Sequence, residues 1–252
     1  MSSKSVYETV KRMTPELAGY KERKIFSGEE VQKIMEARKR YEMRLQRTKK
    51  NVADFINYVN SEMKLLKKRN KIIEKKSIMR EDTDKMLETN ILHIYMRGFR
   101  HFDDSKMFKQ FGEFCVKHNF IEEMKSVFER QLLMHSKDVE YWLYCTRQFK
   151  QIEDIESARN TLLRGLDVVE DKNELYVEFF KTEVEYAAKL MRFNREMGVA
   201  EEDYGRVERG EIALDFFREI AANCTNVEVA QSLKISKTLP GLTQKIKAIL
   251  HE

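Results

Sequence analysis

The sequence predicts an all-α fold, a solenoid of stacked helical hairpins, on three observations. The first is composition: 252 residues contain only 2 Pro and 9 Gly, with 42% hydrophobic and 35% charged residues. Pro15 and Pro240 leave everything between them free of the strongest helix breaker. Sandwiches, barrels and doubly wound sheets need many turn residues, so this composition excludes them. The second is a repeat of a first helix. Phe108 in DSKMFKQFGEF, Trp142 in DVEYWLYCTRQF and Tyr176 in NELYVEFFKTE stand 34 residues apart, each followed three residues on by Phe111, Cys145 or Phe179. The third is a second helix with the same period: Met124 and Ala158, Phe128 and Leu162, Arg130 and Arg164, Leu132 and Leu166 are all 34 apart. Two helices repeating together define a hairpin unit, and hairpins that bury their apolar faces on one another form an α-solenoid.

The elements follow in order. Residues 1–20 are a weakly patterned arm. A leading helix begins near Ser27, where Ser27 and Glu30 have the S-x-x-E spacing of a capping box, and runs through EEVQKIMEARKRYEMRLQR. Residues 1–50 thus form an arm and a basic leading helix. Phe55 and Tyr58 in DFINYVNSE open a first hairpin over about 51–103, whose second helix places Ile91, Tyr95, Arg97 and Phe99 33 residues before Met124, Phe128, Arg130 and Leu132. The second hairpin spans 104–136 and the third 138–171. The fourth, 173–225, is stretched by about 20 residues, since Ile212, Phe216 and Arg218 follow Ala158, Leu162 and Arg164 by 54. Residues 51–225 are therefore an array of about four hairpins. A closing segment, 226–252, is punctuated by Asn226, Ser236, Pro240 and Gly241 and ends in the amphipathic helix LTQKIKAIL.

Several function classes fall away. No apolar run reaches the roughly 18 residues of a membrane helix, and MSSKSVYETVKRM has no apolar signal core, so a soluble, non-secreted chain is expected. Three widely spaced cysteines, Cys115, Cys145 and Cys224, suit a reducing compartment and core positions. Cys115 with His118, and His93 with His101, lack the further ligands of a zinc set. No GxxxxGK[ST], GxSxG, HExxH or GxGxxG motif is present, so no catalytic residue, cofactor, metal or small-molecule substrate is expected.

Charge carries the functional signal. The net +5 hides a division into +12 over residues 1–80 and −7 over residues 81–252. Residues 36–80 alone hold 15 Lys/Arg against 5 Asp/Glu. They are concentrated in fourteen candidate contacts, Arg38, Lys39, Arg40, Arg44, Arg47, Lys49, Lys50, Lys64, Lys67, Lys68, Arg69, Lys71, Lys75 and Lys76. Clustered cations neutralise phosphates and release counterions, but an acidic protein segment or plain solvation explains such a cluster equally well. Lys64 to Lys76 lies where the first hairpin is lengthened, so it can project from the array without disturbing packing. The recurring aromatic and aliphatic residues Phe55, Tyr58, Tyr95, Phe108, Phe111, Phe128, Trp142, Leu162, Tyr176, Phe179 and Phe216 read as packing between helices, since burying each gains about 1.5–3 kcal/mol. Arg97, Arg130 and Arg164 recur too, and are expected in inter-repeat ion pairs with Glu62 and Glu183 as partners.

The hairpins resemble HAT (half-a-TPR) repeats of RNA-processing proteins, in the aromatic first helix and in second-helix runs such as Ala158-Arg159 with Leu162-Leu163-Arg164. The N-terminal half is more specific. Pro15-Glu16-Leu17, Ile25-Phe26-Ser27, Tyr41-Glu42, Gln46-Arg47 and Asp54-Phe55-Ile56-Asn57-Tyr58-Val59, with LYVEFFKTEVEYAAKL further on, resemble the family of the sixth U-three small-nucleolar-RNA-associated protein. The resemblance covers roughly 10–220. It implies a non-catalytic scaffold of the nucleolar small-subunit processome, which matures small-subunit ribosomal RNA beside other subunits, including β-propeller proteins. U-three snoRNA or pre-ribosomal RNA is a further implied contact, and the nucleus and nucleolus the implied location. Family members carry further HAT repeats beyond the position where this chain ends, so a reduced form keeping the N-terminal docking half is expected. A HAT scaffold of messenger-RNA 3′-end processing or splicing, or an autonomous basic RNA-binding protein, remains open as an alternative.

Overall fold

The computed structural model describes residues 3–251, and every regular element among them is helical. The chain divides into two compact units, parting between His118 and Asn119.

The first unit contains α1 (Ser3–Arg12), α2 (Thr14–Glu22), α3 (Gly28–Leu45), α4 (Val52–Lys76), α5 (Lys85–Gly98) and α6 (Ser105–His118), with a 3-10 turn at Asp82–Asp84 before α5. The stretch read as a weakly patterned arm is therefore helical from residue 3, while residues 1–2 lie outside the described residues. Pro15 sits in the first turn of α2, where its missing N–H costs nothing. The Ser27 box forms as spaced: Glu30 N–H donates to Ser27 Oγ at 3.2 Å, and Ser27 N–H to Glu30 Oε2 at 2.8 Å. Asn51 caps α4 by accepting from Ala53 N–H at 2.9 Å.

Helices α3 and α4 run antiparallel, in a register marked by Tyr41 stacked on Tyr58 (4.9 Å between centroids), Arg38 on Glu62 and Glu30 on Lys68. α4 and α5 form the next hairpin. The distal half of α4 does not project. Leu66, Arg69 and Ile73 are buried, and Ile73 shares a cluster with Leu17, Tyr20, Ile25 and Phe26. The apolar stripe of α4 continues through its last turns, which draws α2 and the chain before α3 over it.

The second unit contains α7 (Ile121–Met134), α8 (Val139–Gln151), α9 (Ile155–Val168), α10 (Asn173–Glu196), α11 (Glu211–Asn223), α12 (Asn226–Ile235) and α13 (Leu242–His251). The pairs α8–α9 and α10–α11 are its hairpins. α12 forms inside the segment read as irregular, opened by a Thr225–Glu228 capping box in which Thr225 N–H donates to Glu228 Oε2 at 3.0 Å.

Phe55, Tyr58, Tyr95, Phe108, Phe111, Phe128, Trp142, Leu162 and Phe179 are buried, whereas Tyr176 and Phe216 are half-buried. In α11 the core positions belong to Ala213 and Phe217, 55 residues after Ala158 and Leu162, so the repeat is offset by 55 and not by 54. Phe216 instead stacks on Phe179 at 3.7 Å.

Two scarce glycines share one place in the repeat. A Cβ on Gly98 would meet Phe55 at 3.4 Å and Met107 at 2.9 Å. One on Gly165 would meet Trp142 at 3.1 Å and Leu175 at 3.3 Å. Each glycine lets its helix close on the first helix of its own hairpin and on the helix that follows. The protein is thus all-α and built of repeated helical hairpins, the solenoid class that the period predicts.

Candidate nucleic-acid and partner interface

The basic segment divides into buried and exposed cations. Arg38 is 1% exposed and lies between two carboxylates. Its Nη1 and Nη2 donate to Glu16 Oε2 and Oε1 at 3.1 Å each, while Nε and Nη2 donate to Glu62, the shortest at 2.7 Å. Asn90 Nδ2 adds a bond to Glu62 at 3.3 Å. Burial works against the Arg38 charge, but Glu62 and then Glu16 outweigh it and raise its pKa. Burial likewise raises the Glu16 pKa against the pull of Arg38.

Arg69 is equally buried and donates to the Asp84 carbonyl, to Tyr20 Oη at 3.1 Å, to Asn70 Oδ1 at 2.8 Å and to Glu88 Oε1 at 3.2 Å. Arg38 and Arg69 are therefore removed from the candidate phosphate contacts. Their donors are spent inside the unit, and no ligand reaches them.

Two further cations have structural work. Lys50 is half-buried, and its Nζ donates to the Leu45 carbonyl at 2.9 Å, satisfying an open acceptor at the end of α3. Lys76 Nζ donates to the Lys24 carbonyl at 2.7 Å. Lys68 pairs with Glu30 at 2.7 Å on the surface and lies over the Phe26 ring.

The rest are exposed. Lys64, Lys67, Lys71 and Lys75 are spaced three or four residues apart on α4, on the face opposite the buried stripe of Glu62, Leu66, Arg69 and Ile73. Lys39, Arg40, Arg44, Arg47 and Lys49 are exposed on α3 and just after it, with Arg44 over the Tyr41 ring. The two groups lie on adjoining antiparallel helices. Such a surface attracts any polyanion, with a strength that falls as salt rises.

The recurring arginines pair otherwise than their spacing suggests. Arg97 makes a two-pronged bond to Glu42, at 2.9 Å for both contacts, and Glu62 goes to Arg38. Glu183 takes Arg159 at 2.5 and 2.6 Å. Arg164 lies over the Trp142 ring, and Arg130 is exposed. Spacing missed Glu16 and Glu42 because their approach depends on how α2 and α3 pack. The signal was nevertheless present, in Pro15-Glu16-Leu17 and Tyr41-Glu42.

Among the described residues no group of three His, Cys, Asp or Glu is placed to hold a metal ion, and no helix is long and apolar enough to cross a membrane. Cys115 and Cys145 are buried and Cys224 is half-buried. Burial pushes the Cys145 thiol well up.

A family model described as U3 small nucleolar RNA-associated protein 6 matches residues 10–93. The human U3 small nucleolar RNA-associated protein 6 homolog is 26% identical over 244 residues, covering 90% of this chain and 40% of the human protein. The mouse homolog is 25% identical over 240 residues with the same coverage. U3 small nucleolar RNA-associated protein 6 of Schizosaccharomyces pombe is 23% identical over 185 residues, 72% of this chain and 38% of its own length. The chain thus spans about 40% of the length of these curated relatives. The matched segment is the one that contributes Glu16, Arg38, Glu42 and Glu62 to the buried ionic contacts. The chain is thus similar to these U3 small nucleolar RNA-associated protein 6 relatives along most of its length, and the family model matches it over residues 10–93.

Proposed function

We propose that the protein is a non-catalytic scaffold subunit of the U3 small nucleolar ribonucleoprotein, the small-subunit processome, and supports maturation of small-subunit ribosomal RNA in the nucleolus. The observation that carries this reading is the family match over residues 10–93, backed by relatives of that name along most of the chain. Rigid helical hairpins hold surfaces in fixed relation, and a scaffold needs little other chemistry. Other processome subunits, β-propeller proteins among them, are the protein partners in this reading.

Within it, the exposed face of Lys64, Lys67, Lys71 and Lys75, with Lys39, Arg40, Arg44, Arg47 and Lys49 beside it, bears on phosphates of U3 or pre-ribosomal RNA. These cations stand clear of the core, so they can meet RNA without rearrangement of the unit. Crosslinking of the native particle, read residue by residue for nucleotides and partner peptides, tests the proposal. Nucleotide crosslinks concentrated on the α4 lysines support it. Peptide crosslinks there, with no RNA, would assign that face to an acidic protein partner.

A further inference from the structure

The first unit contains a groove distinct from the α4 lysine face. It has a volume of about 820 Å³, within the range of ligand-binding pockets, and is walled by α1 and α2, the end of α3, the start of α4 and one face of α5. The α5 side runs from Asp82 through Lys85, Met86, Thr89, His93, Met96 and Arg97 to Arg100 and His101, positions three or four apart along one helical face.

The charges lining it are unbalanced. Five cations (Arg12, Lys50, Lys85, Arg97, Arg100) face three carboxylates (Glu16, Glu42, Asp82). Glu16 is bound on both oxygens by Arg38, and Glu42 on both by Arg97. Arg12, Lys85 and Arg100 are exposed and make no ion pair among the described residues. In contrast Arg23, Arg38, Arg69 and Arg97 of the same unit are all committed to carboxylates. The uncommitted guanidiniums stand on separate elements, at the end of α1 and just after α5, and each can grip a phosphate through two parallel N–H bonds. Next to Arg100, His101, exposed, tilted against Phe55 and packed edge to face with Phe102, offers a planar ring to a base. Thr89 and Gln46 add side chains able to bond base edges.

We propose that this groove binds a short single-stranded RNA segment, with phosphates on Arg12, Lys85 and Arg100 and a base stacked on His101. An acidic peptide would meet the same cations through its carboxylates and is the competing outcome of the test. The choice of RNA rests on the proposed role in an RNA particle, whereas the location rests on the groove.

The test uses the full chain and a fluorescein-labelled oligouridylate of about ten nucleotides, followed by anisotropy across a salt series. Paired reversals Arg12→Glu/Arg100→Glu and Lys67→Glu/Lys71→Glu, all at exposed positions, are compared at matched helicity. The groove pair should weaken binding at least about tenfold and flatten the dependence of log K on log salt by about 0.7 for each phosphate no longer neutralised. His101→Ala should weaken it with the slope unchanged, and His101→Tyr should restore it. Loss confined to the α4 pair would overturn the groove and leave the proposed function standing. A wild-type chain that binds no RNA, or an oligoglutamate that displaces RNA and loses its own binding in the groove variant, would also overturn it. The particle assignment is read separately, by co-purification, so failure of one is distinguishable from failure of the other.

Discussion

Arg38 illustrates how little charge alone says about a residue. By composition it belongs to the basic cluster; by position it is the cation that holds Glu16 on α2 and Glu62 on α4 together. Removing one member of a buried ionic cluster leaves its partners charged and desolvated. Arg38→Met is therefore expected to lower unfolding free energy by about 3–5 kcal/mol, read from urea titration. Lys67→Met, on the exposed face, should change it by less than about 0.5 kcal/mol. Equal small effects at both positions would contradict the buried assignment.

Asp84 adds a pH signature. Burial opposes its ionisation, but bonds from Arg23 and the Glu81 N–H outweigh that and hold its pKa below the ordinary 3.8. Its folded pKa is depressed, so its contribution to stability is present above 3.8 and is lost as pH falls through the lower folded value. Unfolding measured along an acid series should show this loss, and Asp84→Asn should flatten it. Neither Arg38 nor Arg69 was distinguishable in sequence from its exposed neighbours by composition. On a helical wheel, however, Arg69 shares the stripe of Leu66 and Ile73, and that period was the available sign.

At the level of elements, the helix ends explain how a chain so poor in glycine makes its turns. Lys24, Ser77 and Glu153 adopt left-handed backbone at helix C-termini, with φ of 54°, 51° and 61°. In each the next residue donates back five positions: Ile25 N–H to Tyr20 O, Ile78 N–H to Ile73 O, Asp154 N–H to Phe149 O. This is the Schellman closure, and burial of Ile25 beside Tyr20 supplies the apolar contact that accompanies it. A non-glycine residue there is strained, so Ser77→Gly should stabilise the protein by about 0.5–1 kcal/mol, seen as a higher melting temperature.

Gly165 works in the opposite sense, since any side chain meets Trp142 and Leu175. Gly165→Leu is expected to cost about 3 kcal/mol or more by overpacking, measured by urea unfolding, and an unchanged midpoint would contradict the close approach. The 34-residue period made the hairpins legible because it records which residues must be buried. It could not show α1 and α2, whose short helices have no repeat partner. The 54-residue offset failed because Phe216 and Phe217 are adjacent, and only packing on Phe179 and Phe180 tells which ring enters the core.

For the molecule as a whole, residues that carry the family likeness and residues proposed to touch RNA are largely different sets. Glu16, Leu17, Ile25, Phe26, Glu42, Phe55, Tyr58 and Val59, all within the quoted motifs, are buried. They fix how the first unit folds. The lysines of α4 and, in the groove, Arg12, Lys85 and Arg100 are exposed and lie outside that core. Family likeness was therefore readable from sequence, while the groove was not. Its walls come from separate elements, and Arg12, Lys85 and Arg100 have no common spacing that a motif could record.

The central claim is that this chain works within the U3 particle. The most direct test recovers the tagged chain from its own cells under native conditions and sequences the bound RNA. U3 small nucleolar RNA together with small-subunit precursor RNA, enriched well above a mock purification, is the result the account predicts. Recovery of splicing or 3′-end-processing RNAs and factors, with neither of those RNAs enriched, would contradict it.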